Sequence, residues 1–515
     1  MSSITLLNKL MPFCLGYSIL FFLWSVNFNR VGCLYDYSII IHGSYLVENG
    51  FKPHVDFHSP LPSLTIYLAR LCEILFGVKF SSLGIGNLLF ATFFFGVIYI
   101  NLLPRFGAAL ASWASLAFIA AGPLQHSIIW YNSLGVGFIG ILITLTIQFV
   151  ELSQIGLRFH FLCFLILTTL ALIKTNFLVI GIVLYSIALL THATLFKKWM
   201  GIINGLIVVI LSVGGFFLIE SMINGAGFSQ VYFDIFQIPE GRFADVLSNL
   251  RNPGSYLFGK IHNFYPRNIS NGMLFIYSLF FILILRFAVK KSDCLLQEVL
   301  IAFCGFGFLA CGLLNMVSNT EIQVLTLSFL LISAFFLVNL IFSFPKTELL
   351  PQSIKVILCA LSAYTLLVGS FSIINHSRIL YERDTQFIAA SNYWGYGYFE
   401  GTRMTSITWN AIDKIQKKMS ECLKVPNTKV FFGSSLEFFY RLTGQKPPVG
   451  LPLWWHTGVT WNAKMAPQIK SILVEQNYSI KFSHQNWISN EPIGWYSAES
   501  FYKNEFPPYI LEIKK

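Results

Sequence analysis

The chain has 515 residues, 55% hydrophobic and 11% charged, with a mean hydropathy of +0.64. That balance excludes a water-soluble globular class and fits a polytopic membrane protein. The formal charge of +11 is read as Lys and Arg between spans with an affinity for anionic lipid or phosphate, not as a nucleic-acid footprint. The nine cysteines form no CxxC pair and mostly lie in apolar runs, which speaks against a zinc ribbon or a disulfide framework.

Apolar runs predict about eleven spans of the usual length, near 9–27, 82–103, 106–125, 133–150, 159–173, 176–195, 199–220, 271–287, 295–314, 321–343 and 353–375. The first is too long for a signal peptide and has no small-residue cleavage site, so it reads as an anchor. The run 159–195 is too long for one span, and Lys174-Thr175-Asn176 is its natural turn. Segment 62–78 is short and carries Arg70 and Glu73, so it is expected to lie on the membrane surface.

Counting Lys and Arg in the short connections puts the N-terminus in the cytoplasm. The loops 28–81 and 221–270 and the tail from 376 then fall outside. After 376 charged residues become frequent, and seven of the eleven tryptophans lie there. Lys429–Gly433 reads as a strand, Ser434–Leu442 as a helix closed by Gly444, Ala466–Gln476 as an amphipathic helix, and Tyr509–Ile513 as a last strand. The expected organisation is a transmembrane unit, 1–375, and a small α/β domain, 376–515.

The densest polar stretch is Asp36–Tyr67, which sets two aspartates and three histidines between apolar runs. A polar loop beside a span is where chemistry is sought. Asp36 precedes a patterned stretch, Ile39–Val47, that Asn49-Gly50 stops, so it is expected to cap a short helix. There its carboxylate is kept ionised and able to accept a proton from a hydroxyl. Asp56, before a proline-rich turn, is either a turn residue or a binding residue. His42 and His54 are read as loop residues without an assigned role. Lys174, at a span end, either snorkels or holds a phosphate. Arg242, Arg251, Lys260 and Arg267 are further phosphate candidates.

Asn132 in His126–Ser133 could hydrogen-bond a sugar, but Trp130 and Tyr131 are expected at a membrane interface in any case, and the loop is read as interfacial. The aromatic stretch Pro447–Trp461 suits a sugar face or a membrane interface. Glu437 and His456 are too isolated to be read as catalytic.

The first span, Asp36, the run Asn49–Pro62 with Gly50, Pro53, Asp56-Phe57 and Ser59-Pro60-Leu61-Pro62, and Ile66–Gly77 resemble the first outer loop of GT-C membrane glycosyltransferases. That superfamily includes protein O-mannosyltransferases and the bacterial aminoarabinose transferase. Ala171–Phe177 also resembles a family stretch with a lysine at the outer end of a span. The resemblance implies many spans with long loops on one side, a polyprenyl-phosphate-linked sugar donor and inverting transfer, with Asp36 at the position of the family's base. It implies a glycan, lipid or protein acceptor outside the cell and an active site on the outer side of a bacterial inner membrane.

The chain departs from the family where Tyr37 replaces the second acid of the usual pair. This leaves the acceptor and any divalent metal open. His58 stands near an acidic metal ligand of the aminoarabinose transferase, but His58 and His262 have no diagnostic ligand spacing. Asp56, His58, Lys174, Arg242 and Arg267 are the expected substrate-binding residues. The competing readings are a transporter or lipid flippase, which predicts inverted repeats and midplane charges, and a non-catalytic scaffold binding envelope glycans through its tail.

Overall fold

The computed structural model describes residues 3–31, 34–150, 156–239, 393–404, 406–422, 428–434, 436–484, 501–506 and 509–514. The four predicted spans between 271 and 375, together with Arg242, Arg251, Lys260, His262 and Arg267, lie outside the described residues.

Each earlier apolar run forms a helix. These are α1 (Ser3–Asn27), α4 (Phe80–Ala121), α5 (Tyr131–Val150), α6 (Leu157–Ile173), α7 (Thr175–Phe196) and α8 (Met200–Asn224). Among the described residues, Lys9–Val26, Phe80–Pro104 and Met200–Asn224 are long and apolar enough to cross a membrane. Gly107–Ala120, Tyr131–Thr146, Leu157–Ile173 and Thr175–Leu190 are shorter apolar helices.

The predicted spans 82–103 and 106–125 are the two arms of α4. The chain turns at Gly107, whose φ of 70° and ψ of 168° suit a residue without a Cβ. The arms run side by side, because Phe95 and Ser112 both meet Gly16, and Ile98 and Phe118 both meet Gly140. The turn between α6 and α7 is tighter still. Lys174 alone is extended, and its N–H closes on the Leu170 carbonyl at 2.9 Å.

These reversals bring the connections of one end of the bundle together. Trp24 Nε1 donates to the Gly84 carbonyl at 2.9 Å, and Asn87 Nδ2 to the His126 carbonyl at 2.8 Å. Between α1 and α4 lie two shorter helices, α2 (Leu34–Glu48) and α3 (Leu64–Phe76). Residues 37–44 of α2 are all buried, so this stretch of the helix is enclosed on every side.

The interfacial helix expected at 62–78 is α3, with an unexpected orientation. Glu73 points inward while Leu71, Ile74 and Leu75 are exposed. A helix with its charge inside and its apolar face outside suits a lipid-facing position.

After α8 comes α9 (Phe228–Tyr232), then a π-turn, Phe233–Gln237. The tail contributes an antiparallel pair, β1 (Tyr393–Trp394) and β2 (Arg403–Met404), and α10 (Ser406–Cys422). It also forms a four-stranded sheet from β3 (Val430–Phe432), β4 (Ile480–His484), β5 (Phe501–Phe506) and β6 (Tyr509–Lys514). The strand order is β3-β4-β6-β5, with β3 and β4 parallel and the other pairs antiparallel. Between β3 and β4 run α11 (Phe439–Thr443) and α12 (Ala466–Gln476), the latter with the predicted bounds.

The helix expected over 434–442 is only α11. Ser434 and Glu437 are drawn off to the Trp455 backbone, with Ser434 Oγ donating to its carbonyl at 2.9 Å and its N–H donating to Glu437 Oε1 at 2.9 Å.

The tail packs on α2 and α3 through one continuous apolar core that includes Phe80, Phe399 and Phe438. A buried ion cluster stitches the same surfaces. Arg441 Nη2 meets Glu73 Oε2 at 2.9 Å and Glu48 Oε2 at 2.5 Å, and Nη1 donates to Ser44 Oγ at 3.0 Å. Tyr398 OH donates to Glu73 Oε1 at 2.8 Å. Burial pushes the Glu73 carboxyl up, and Arg441, Tyr398 and Arg70 offset only part of that shift.

Removing one partner of a buried pair leaves the other charge uncompensated, at a cost of about 3–5 kcal/mol. Arg441→Ala is therefore expected to lower the thermal midpoint and free the tail to proteases. Arg441→Met with Glu73→Gln should recover most of the loss. Equal instability of the single and double variants would show that the charge pairing is not what holds the tail.

Candidate functional site

Gly50, with φ of 83°, ends α2 and sends the chain into a tight turn. Asp56 N donates to the Lys52 carbonyl at 2.9 Å, and Lys52 N donates to Asp56 Oδ2 at 2.8 Å. The Asp56 carboxylate thus serves the turn backbone. His54 sits in the left-handed region with φ of 64°, a conformation that costs a non-glycine residue about 1–3 kcal/mol. The adjoining edge is fixed to the tail, where His58 N donates to the Leu451 carbonyl at 3.1 Å and Leu453 N to that of His58 at 2.8 Å.

This turn delivers two imidazoles to one buried carboxylate. His54 Nδ1 lies 3.0 Å from Asp234 Oδ2, and His58 Nδ1 lies 2.9 Å from Oδ1. Ser59 N at 3.3 Å and Gln230 Nε2 at 3.2 Å also donate to Asp234. Burial raises the Asp234 pKa, but the histidine bonds and charges outweigh it and hold the carboxyl below its usual range.

On its other side, His54 Nε2 faces Glu220 Oε2 at 3.5 Å, an ion pair longer than a good hydrogen bond. Glu220 is otherwise held by Ser63 N at 2.9 Å, Ser63 Oγ at 2.8 Å and Asn224 Nδ2 at 2.9 Å. Burial lowers the His54 pKa, and the two carboxylates more than reverse this, bringing it up to about 9. His54 is accordingly an imidazolium that joins the end of α8 to the residues after α9.

His58 differs in being accessible, with 14% of its side chain exposed while Asp234 shows none. The Asp234 carboxylate on Nδ1 fixes the orientation of the ring, and Nε2 is the nitrogen that Asp234 does not engage. As a metal site the cluster does not fit, since four donors already occupy Asp234. Among the described residues no group of three or more His, Cys, Asp or Glu is arranged to hold a metal ion.

Lys174 lies at the same end of the bundle. Its Nζ donates to Asn132 Oδ1 at 3.0 Å and sits 4.7 Å from the Tyr131 ring. Asn132 and Tyr131 open α5, so the loop read as interfacial supplies the lysine's support. Asp36 is not the helix cap. The helix starts at Leu34, which makes Asp36 its third residue. From Tyr37 to Ser44 the helix is buried on every side, and that packing overrides the capping signal. An acid in the first turn is still favoured by the helix dipole.

Other expectations changed as well. His42 is not a loop residue but a buried one on α2, stacked on Tyr440 with ring centroids 5.3 Å apart. Burial, with Arg441 nearby, lowers its pKa to about 3. Glu437 is buried and accepts from Ser38 Oγ at 3.1 Å. The sequence reading does not single out Glu220, Asp234 or Arg441, and it gives His54 no role. Glu220 and Asp234 are the only acids between positions 152 and 239; an acid closing an apolar run is a usable signal.

No protein-family model matches the chain, and no curated protein sequence does. Solved structures do match. The chain is similar to ArnT from Cupriavidus metallidurans bound to undecaprenyl phosphate, at 11% identity over 97% of both chains with a TM-score of 0.50. The chain has a GT-C-like fold. The apo form of that ArnT aligns at 13% identity over 97% of both chains, TM-score 0.48. The oligosaccharyltransferase of Archaeoglobus fulgidus aligns at 10% identity over 95% of this chain and 71% of its own, TM-score 0.46.

A group whose folded pKa is raised stabilises fully below its unfolded value and loses that contribution as pH rises through the folded value. For His54 the window runs from 6.5 to about 9. Protection of residues 51–62 in hydrogen exchange, corrected for intrinsic rate, should hold at pH 6.5 and fall by pH 9.5. In His54→Gln it should be low throughout. A pH-independent wild type would contradict the imidazolium assignment.

Proposed function

We propose that this chain is an integral membrane glycosyltransferase that takes a sugar from a polyprenyl-phosphate donor. The observation that carries the reading is Lys174, a cation held by Asn132 at the break between two apolar helices. A fixed positive charge at a span end suits a lipid phosphate, whose negative charge grows as the sugar departs. The GT-C-like fold supports the reading as an analogy of architecture. Asp36, Lys174 and the His58 cluster belong to connections at one end of the bundle, which we assign to the outer side of the membrane.

In this scheme an acceptor hydroxyl gives its proton to Asp36. Its oxygen attacks the anomeric carbon from the face opposite the phosphate, the sugar–phosphate bond breaks, and the configuration inverts. The phosphate leaves with the bonding electrons toward Lys174. His58, oriented by Asp234, offers Nε2 to a sugar hydroxyl. The acceptor is an envelope glycan, lipid or protein.

Because Asp36 is in the first turn and not at the cap, Asp36→Asn and Asp36→Ala are both expected to fold. General-base assistance is worth about 10²–10⁴-fold, and both variants should lose transfer by that factor while retaining donor. Lys174→Ala should instead raise the KM for donor. Full transfer by a folded Asp36→Asn protein removes Asp36 as base, and an unchanged donor KM in Lys174→Ala removes the phosphate role.

A further inference from the structure

At the end of α1 the chain forms a small structure that the proposed transfer does not use. Arg30 pairs with Arg403 as an isolated parallel bridge, flanked by Val31 N donating to the Arg403 carbonyl at 2.9 Å and Arg403 N donating to that of Asn29 at 2.6 Å. Two arginines side by side repel. Among the described residues neither has a carboxylate within ion-pair distance. Arg30 Nη1 is buried without a hydrogen-bond partner. An unpaired, partly desolvated guanidinium costs free energy that an anion would recover.

The position says which anion. Arg30 lies four residues beyond the span Lys9–Val26. Phe21 and Phe22, near the end of that span, face outward. Across the bridge, β1 and its turn expose Tyr393, Trp394 and Tyr396 at 42%, 56% and 40%. The Arg403 guanidinium lies 4.8 Å from the Trp394 ring. Exposed Trp and Tyr beside arginines, just past the end of a span, match the headgroup layer in both polarity and depth.

We propose that Arg30 and Arg403, framed by Tyr393, Trp394 and Tyr396, bind the phosphate of an anionic membrane phospholipid and anchor the β1–β2 hairpin to the bilayer surface. Burial and the neighbouring Arg403 charge hold Arg30 below the usual guanidinium range, as expected of a cation awaiting a counter-charge. The site shares no residue with the proposed transfer machinery.

The test is native mass spectrometry of the full chain titrated with dioctanoyl phosphatidylglycerol, dioctanoyl phosphatidylcholine or inorganic phosphate. Phosphatidylglycerol should bind more tightly than phosphatidylcholine. Each arginine near a membrane surface contributes about fivefold in affinity. Arg30→Gln and Arg403→Gln should each weaken phosphatidylglycerol by about that factor, and the pair by roughly 25-fold. Arg403 is exposed, so Arg403→Gln alone decides the matter should Arg30→Gln fail to fold. Unchanged phosphatidylglycerol affinity in folded Arg403→Gln overturns the proposal. So does equal affinity for the two lipids, or displacement of phosphatidylglycerol by millimolar inorganic phosphate, which would mark a free-anion site.

Discussion

Asp234 has no exposed surface, yet its carboxylate accepts from four donors, one of them on a residue 180 positions away. An isolated buried carboxylate would be protonated or expelled. It stays ionised because His54 brings a full positive charge and His58, Ser59 and Gln230 complete the hydrogen bonding. His54 then faces Glu220, which ties the same turn to the end of α8. The first loop is therefore set by electrostatic closure, and the orientation of His58 follows from it.

A second closure works at the tail. Arg441 reaches Glu48 on α2 and Glu73 on α3, so the helices that frame the loop also carry the tail. The two networks divide the load. One fixes the turn from the bundle side and the other from the side of the four-stranded sheet, while backbone pairing at His58 and Leu451 joins them. Charges inside and apolar side chains outside, as on α3, reverse the usual surface pattern. That reversal is what a bilayer as solvent selects.

Much of the bundle was legible, because spans depend on local apolar length. The runs 133–150, 159–173 and 176–195 differ from α5, α6 and α7 by a few residues, and the break at Lys174 was read from run length alone. Asn49-Gly50 stopped α2 as expected. Asp36 was misplaced because a capping residue is a weak local signal beside a helix buried on every side from Tyr37 to Ser44. The pairing of His54 with Asp234 and Glu220 left no local trace, since nothing periodic links a loop histidine to acids more than 150 positions away. Arg441 was hidden for the same reason. It lies on a short helix whose partners belong to another part of the chain.

The central claim is that the end of the bundle holding Lys174 receives a polyprenyl phosphate. Extraction and mass spectrometry of the lipid that copurifies with the full chain tests it most directly. The account predicts a polyprenyl phosphate near one per chain in the wild type, and its loss from a folded Lys174→Ala protein. A folded wild type carrying only bulk phospholipid, or a Lys174→Ala protein retaining the polyprenyl phosphate in full, would contradict it.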